Sequence, residues 1–352
     1  MAELITLVEG SSVRVRVPAS SANIGPGFDS VGLALGIWDE CVVTVTSEPG
    51  LRIDIEGEGA GKGEVPRDEL NLIHRSILAA WQELHVQAPA GLHMSSRNAV
   101  PHCRGVGSSA TSIVAGVVAA QGLCDIAKGQ DSDEASDTEP RRDRELGGDR
   151  VPGGDRAPGG DREPGRNFDR TFTNNLAAAL EGHPDNSSAS VFGGMTLSWA
   201  DDIEPRQFHS IQLQVSADVI PLVFLPAAKL STATARAVLP AQVPHAVAAR
   251  NSARVGLLVE AVTRRPDLLL PATREWLHQE QRRPAFPGSM ALLDALRGQG
   301  HAAVISGAGP SVLVLTTAER LQDARAQGDP AVWRVLQPGI PATGAHLDRL
   351  SV

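Results

Sequence analysis

The run Pro101-His102-Cys103-Arg104-Gly105-Val106-Gly107-Ser108-Ser109-Ala110 feeds straight into an apolar stretch, Ala110 to Leu123. That junction constrains the fold more than any other feature of the chain. The apolar stretch reads as a buried helix, so a core has to form around it. The glycine-punctuated loop before it leaves backbone N–H groups free. It aims them, with the positive end of the helix dipole, at one point. Such a point suits a phosphate. No Gly-Lys-Ser/Thr follows the glycines, so the loop is not a Walker A motif. Ser108 and Ser109 serve either as ordinary helix caps or, through one hydroxyl, as a ligand of Mg2+.

The remaining pattern mixes strands and helices. Ser12 to Val17 alternates valine with arginine, and Cys41 to Ser47 and Leu51 to Glu56 alternate likewise, which predicts half-buried strands. Apolar residues at helical spacing predict a helix over Asn71 to Val86. Further helices are expected at Asn174 to Glu181, Asn251 to Val262 and Ser289 to Arg297. Further strands are expected at Val219 to Leu225, Ala302 to Ser306 and Ser311 to Thr316. No clean βαβ alternation emerges, so the expectation is α+β rather than a doubly wound sheet. At 352 residues the length suggests two domains.

Between Gly129 and Arg170 the pattern breaks. An acidic stretch leads into three hexapeptides beginning at Gly147, Gly153 and Gly159, each Gly-Gly-Asp-Arg followed by two residues, the second a proline. With almost no large apolar side chain, residues 129–170 read as a disordered surface insertion.

Composition excludes several classes. A formal net charge of -9 argues against nucleic acid as a partner, which needs a basic face. No uninterrupted apolar run reaches the roughly 18 residues of a membrane span. Met1 to Gly10 lacks a basic start and is not read as a secretory signal. Three cysteines, Cys41, Cys103 and Cys124, show no paired or metal-type spacing and fit a reducing cytoplasm.

Three more motifs carry chemistry. Pro18 to Asp29 leaves a strand, turns through Gly25 and Gly27, and sets Asn23 six residues from Asp29. A carboxylate and an amide so placed can hold an ammonium and a hydroxyl, or merely satisfy their own turn. Glu181-Gly182-His183-Pro184-Asp185-Asn186 puts polar side chains beyond a helix end, either as ligands or as a solvated helix stop. Ser306-Gly307-Ala308-Gly309-Pro310-Ser311, between two short apolar strands, lets backbone approach a ligand closely or is only a tight connection. Arg236 and Arg282 could each fork onto a carboxylate.

Taken in this order, the four motifs resemble those of the homoserine kinase family. That family lies within the galactokinase, homoserine kinase, mevalonate kinase and phosphomevalonate kinase (GHMP) superfamily. The resemblance spans nearly the whole chain outside residues 129–170. It implies ATP-dependent phosphorylation of the hydroxyl of L-homoserine, a step toward threonine. It implies an α+β chain in two parts. Residues 1–203 would be an ATP-binding domain like ribosomal protein S5 domain 2, and 204–352 a ferredoxin-like domain. The alternatives are another small-molecule kinase of the superfamily, or a silent relative that only binds an amino acid or nucleotide. The resemblance places homoserine against Asn23, Asp29, His183, Asp185, Thr232, Arg236 and Arg282, with Asn186 and Arg236 at the chemistry. It places ATP on Pro101 to Ala110, with Asn71 near the nucleotide, and implies a cytoplasmic homodimer. Its Mg2+ would sit on Ser108, Ser109 and a residue eight before His183. The family usually has Glu there, and this chain has Asn175, a weaker ligand.

Overall fold

The structure is a computed structural model that describes residues 4–129, 168–204, 207–230 and 232–350. The insertion expected at 129–170 lies almost wholly outside the described residues. Within them the fold is α+β, as the mixed pattern predicts.

Its first half comprises β1 (Ile5–Thr6), β2 (Ser12–Ala22), β3 (Val31–Thr46), β4 (Gly50–Gly57), α1 (Leu72–Glu83), β5 (Val86–Gln87) and β6 (Gly91–Asn98). There follow α2 (Ser108–Ala127), α3 (Arg170–Glu181), α4 (Asp185–Phe192), β7 (Met195–Ala200) and β8 (Phe208–Leu213). The second half comprises β9 (Ile220–Pro226), α5 (Thr232–Ala237), α6 (His245–Thr263), α7 (Leu269–Ala272) and α8 (Gln279–Arg282). It ends with α9 (Pro287–Gly298), β10 (Ala302–Ile305), β11 (Val312–Thr316), α10 (Leu321–Ala326), β12 (Trp333–Leu336) and β13 (His346–Leu350).

A seven-stranded sheet runs β13-β2-β3-β6-β4, with β7 and then β8 added alongside β3. The 16-residue β3 makes this possible. Its first residues pair with β7 and its last with β6, while β2 follows it almost throughout. Val13, Val15 and Val17 of β2 are buried against α2, so the alternating face meets the apolar helix. By length and composition α2 could cross a membrane. Here α1, α3, α4 and β2 surround it, and its lone mid-helix amide, Gln121, bonds Thr173 Oγ1 at 2.6 Å.

The second sheet, β10-β11-β9-β12, is antiparallel throughout. Its central strand β9 is apolar on both faces, as a strand covered on both sides must be. Val223 and Leu225 face a core shared with α6, α7 and the ends of β2 and β3. Leu222 and Phe224 face α9 and α10. The shared core packs the two halves together. The division expected at 203/204 falls in the turn between β7 and β8, both strands of the first sheet. The last strand, β13, also returns to that sheet, beside β2.

Candidate active site

Four segments converge where the two halves meet: the end of β2 with its following turn, the loop into α2, the α3–α4 turn and the β10–β11 turn. They enclose a cavity of about 180 Å3, lined among others by Asn23, Cys103, Gly105, Gly107, Ser108 and Ser109. Glu181, His183, Asp185, Asn186, Arg236 and Arg282 complete its polar wall.

The loop is built from close backbone approach. Gly107 caps α2 with φ 74°, and a Cβ there would lie 2.1 Å from Ser20 Oγ. Gly105, at φ 72°, leaves no room either, because a Cβ would meet Ser306 O at 2.3 Å. Ser306 Oγ donates to Gly105 O at 2.6 Å, and Ser21 Oγ lies 2.7 Å from Ser306 Oγ, buried. Three segments far apart in sequence are thus stitched around the N-terminus of α2. Ser108 and Ser109 start that helix without acting as its cap, which leaves their hydroxyls to the cavity.

Several residues expected on the nucleotide do something else. Arg104 is a strut: its Nε and Nη2 donate to Pro226 O and Ala227 O at 3.0 and 3.2 Å, tying the loop to the end of β9. Val106 and Ala110 are core residues, and neither they nor Pro101 and His102 line the cavity. Asn71 caps α1, accepting from Ile73 N and His74 N, and donates to Pro66 O at 2.8 Å. Its amide is therefore spent on the helix start, and it does not reach the cavity.

The turn after β2 is strained. Asn23, Ile24 and Asp29 have φ of 68°, 47° and 56°, a region costly for a β-branched residue. Asn23 holds the strain in place: its Oδ1 accepts from Asp29 N at 3.1 Å and its Nδ2 donates to Gly307 O at 3.1 Å. Asp29 is thereby aimed at Arg236, whose Nη1 and Nη2 donate to the two carboxylate oxygens at 3.2 and 2.6 Å. Thr232 begins α5, but its side chain lies outside the described residues.

On the α3–α4 turn, His183 Nδ1 lies 2.6 Å from Asp185 Oδ1, which also accepts from Asn186 N. Burial opposes charge on His183, but Asp185 and then Glu181 outweigh it and raise its pKa. The ligand atoms of Asp29, His183 and Asp185 lie within 4.8 Å of one another. Asn186 Oδ1 accepts from Ser20 Oγ at 3.0 Å, so its NH2 is the group left to face the cavity.

Asn175 is a correction. Its Oδ1 accepts from Phe208 N at 2.9 Å, fastening α3 to β8, and it does not line the cavity. The α3 carboxylate that does is Glu181, the last residue of that helix. Six residues at about 100° each put the two on different faces of the helix. Glu181 Oε2 is buried without a hydrogen-bond partner, and burial, with repulsion from Asp185, pushes its pKa up to about 8. The signal was present in the Glu-Gly-His-Pro-Asp-Asn run, where Glu181 stands two residues before His183.

A family model described as the GHMP kinases N terminal domain matches residues 71–138. Over 335 residues the chain is 43% identical to a homoserine kinase of Streptomyces coelicolor, covering 95% of this chain and 94% of that one. It is 44% identical over 338 residues to a homoserine kinase of Streptomyces avermitilis, covering 96% of both. A solved homoserine kinase from Cytophaga hutchinsonii superposes with a TM-score of 0.72 over 96% of this chain and 97% of that one; at 24% identity the likeness speaks to the fold. Full-length identity of this order, on a fold of the same architecture, makes the chain a member of the homoserine kinase family of GHMP kinases.

Proposed function

We infer that this chain transfers the γ-phosphoryl group of ATP to the side-chain hydroxyl of L-homoserine, a reaction on the way to threonine. The observation that carries the reading is a single cavity with two unlike ends. One end is an anion cradle of glycines and backbone N–H groups at the start of α2. The other is a crowd of carboxylates and guanidiniums fit for a zwitterion. The α-ammonium belongs with Asp29 and Asp185, and the α-carboxylate with Arg236 and Arg282. His183 borders the same ligand, and Thr232 is assigned to it on the family resemblance alone. Asn23 acts indirectly, by aiming Asp29. The triphosphate lies on Cys103 to Ser109, with Pro101, His102, Arg104, Val106 and Ala110 shaping the loop beneath it.

Asn186 stands between the two ends. A neutral amide cannot take the hydroxyl proton, so its part is to orient the hydroxyl toward the γ-phosphorus. The new O–P bond forms as the bridging P–O bond breaks, and ADP leaves. The hydroxyl proton passes to a phosphate oxygen or to water. Phosphoryl transfer through a loose transition state depends on such positioning and on charge stabilisation, here from Arg236 and the loop N–H groups.

The residues fit Mg2+. A carboxylate with one buried oxygen left unpartnered, beside the Ser108 and Ser109 hydroxyls, is a fit for a cation that would hold it ionised. Glu181 with Ser108 or Ser109 would hold the metal, and Asn175 would not. A Mg2+ held there would supply positive charge against the charge that develops on the phosphate oxygens.

The test is a coupled ADP-release assay with L-homoserine, mevalonate, galactose and L-threonine. Turnover with L-homoserine alone is expected. Turnover only with mevalonate or galactose would refute the reading, and binding without turnover would mark a silent relative. The reading includes a cytoplasmic homodimer, which light scattering of the purified chain checks.

A further inference from the structure

Arg282 is among the largest fully buried side chains among the described residues, at 1% exposure, and its hydrogen bonds go only to neutral acceptors. Nε donates to Ala235 O at 2.9 Å. Nη1 donates to His278 Nδ1 at 3.2 Å and to Gly307 O at 3.3 Å. The guanidinium is held from several sides without a carboxylate among its hydrogen-bond partners.

His278 is the unusual partner. It is wholly buried, and its two ring nitrogens have partners of opposite kind. Nε2 lies 2.8 Å from Gly25 O, which can only accept, so Nε2 carries the proton. Nδ1 faces a guanidinium, which can only donate, so Nδ1 is bare. The imidazole is therefore neutral, and burial holds its pKa below the ordinary histidine value in agreement. Glu275 fixes the turn beneath it, accepting from the backbone N–H of Leu277, His278 and Gln279 at 2.6 to 2.9 Å. Phe28 stacks on the ring with centroids 5.2 Å apart. The guanidiniums of Arg236 and Arg282 lie 5.6 and 5.7 Å from that same phenyl ring.

We propose that His278 is the positioning residue of the carboxylate end: it aims Arg282 at the substrate's α-carboxylate and registers it against the strained turn that presents Asp29. A neutral acceptor is essential to this role. An Asp or Glu in its place would pair with Arg282 and compete with the substrate for its charge. The proposal rests on the reading that Arg282 receives the carboxylate.

Three variants test it: His278→Asn, which keeps an acceptor near the Nδ1 position; His278→Gln, which keeps only the donor near Nε2; and His278→Leu, which keeps neither. Each is measured for L-homoserine binding by calorimetry and for the KM of L-homoserine and of ATP. His278→Leu and His278→Gln are expected to weaken homoserine about 30-fold, while the KM of ATP moves less than about 3-fold. His278→Asn should recover homoserine binding to within about 5-fold of the native chain. If the leucine variant does not fold, Asn against Gln decides. Equal homoserine affinity in those two, or an ATP KM that moves as far as that of homoserine, overturns the proposal. Failure of the underlying reading looks different: the native chain itself would neither bind nor phosphorylate L-homoserine.

Discussion

The two ends of the cavity are made from opposite materials. The nucleotide end is backbone and small side chains: two left-handed glycines, two serine hydroxyls and a helix start, with no charged side chain of its own loop turned inward. Arg104, its one cation, is spent on carbonyl oxygens of β9 and the residue after it. The amino-acid end is nearly all charge, and much of that charge is already paired within the protein. The difference teaches that, on the proposed reading, the first end recognises by shape and dipole, and the second by competition among ions. A damaging change should therefore be an added atom at one end and a removed charge at the other.

The largest effect is expected at the charged end. Arg282→Ala should lower kcat/KM for L-homoserine by about 1000-fold, the cost of leaving a buried carboxylate without its partner. Calorimetry should show ATP binding unchanged, and parallel loss of ATP would break the comparison. At the other end, Gly107→Ala adds one carbon where φ is 74° and Ser20 Oγ stands 2.1 Å away. A fall of roughly 100-fold in activity is expected, from misplacement rather than lost charge. Homoserine binding should survive it.

Glu181→Gln sharpens the boundary between the ends. In the metal-free protein the Glu181 pKa stands near 8, above the usual glutamate range, so the folded state holds a proton that the unfolded state has lost. Stability should therefore fall as pH rises from about 4.5 to about 8, and excess Mg2+ should restore it above that window. In Glu181→Gln both effects should vanish, which melting curves across the pH range with and without MgCl2 would detect. Equal Mg2+ responses in the two proteins would remove Glu181 from the metal site. The smallest effect is expected for Asn175→Glu. Its Mg2+ titration should match the native one within about 2-fold, because position 175 faces β8.

How much of this was legible beforehand follows the same division. The loop, α2 and the apolar strands β9, β10 and β11 announced themselves, since uniform burial writes a local signal. The helix α1 ends three residues earlier than its periodicity suggested and starts at its Asn71 cap. The extension of β2 through Pro18 to Ala22 was hidden by a proline beside a register shift between Pro18 and Ala19. The strands β12 and β13 are short and half polar, and only pairing with partners far away in sequence makes them strands. The site shows the same limit. Motifs named most of its residues, but the pairing of Asp29 with Arg236 spans 207 positions and leaves no periodic trace. Counting back from His183 led to Asn175, whereas helix geometry delivers Glu181.

The Asp29–Arg236 pair has a consequence for selectivity. Before any substrate arrives, the groups that the proposed reading assigns to its ammonium and its carboxylate pair with each other. Entry of a zwitterion is then a swap of dancing partners that leaves no one standing alone. A simple amino alcohol would free Arg236 and offer it nothing, and a hydroxy acid would strand Asp29. Either guest leaves one ion of the pair without its partner. On the proposed reading, the pocket would favour a zwitterionic alcohol over one that carries a single charge.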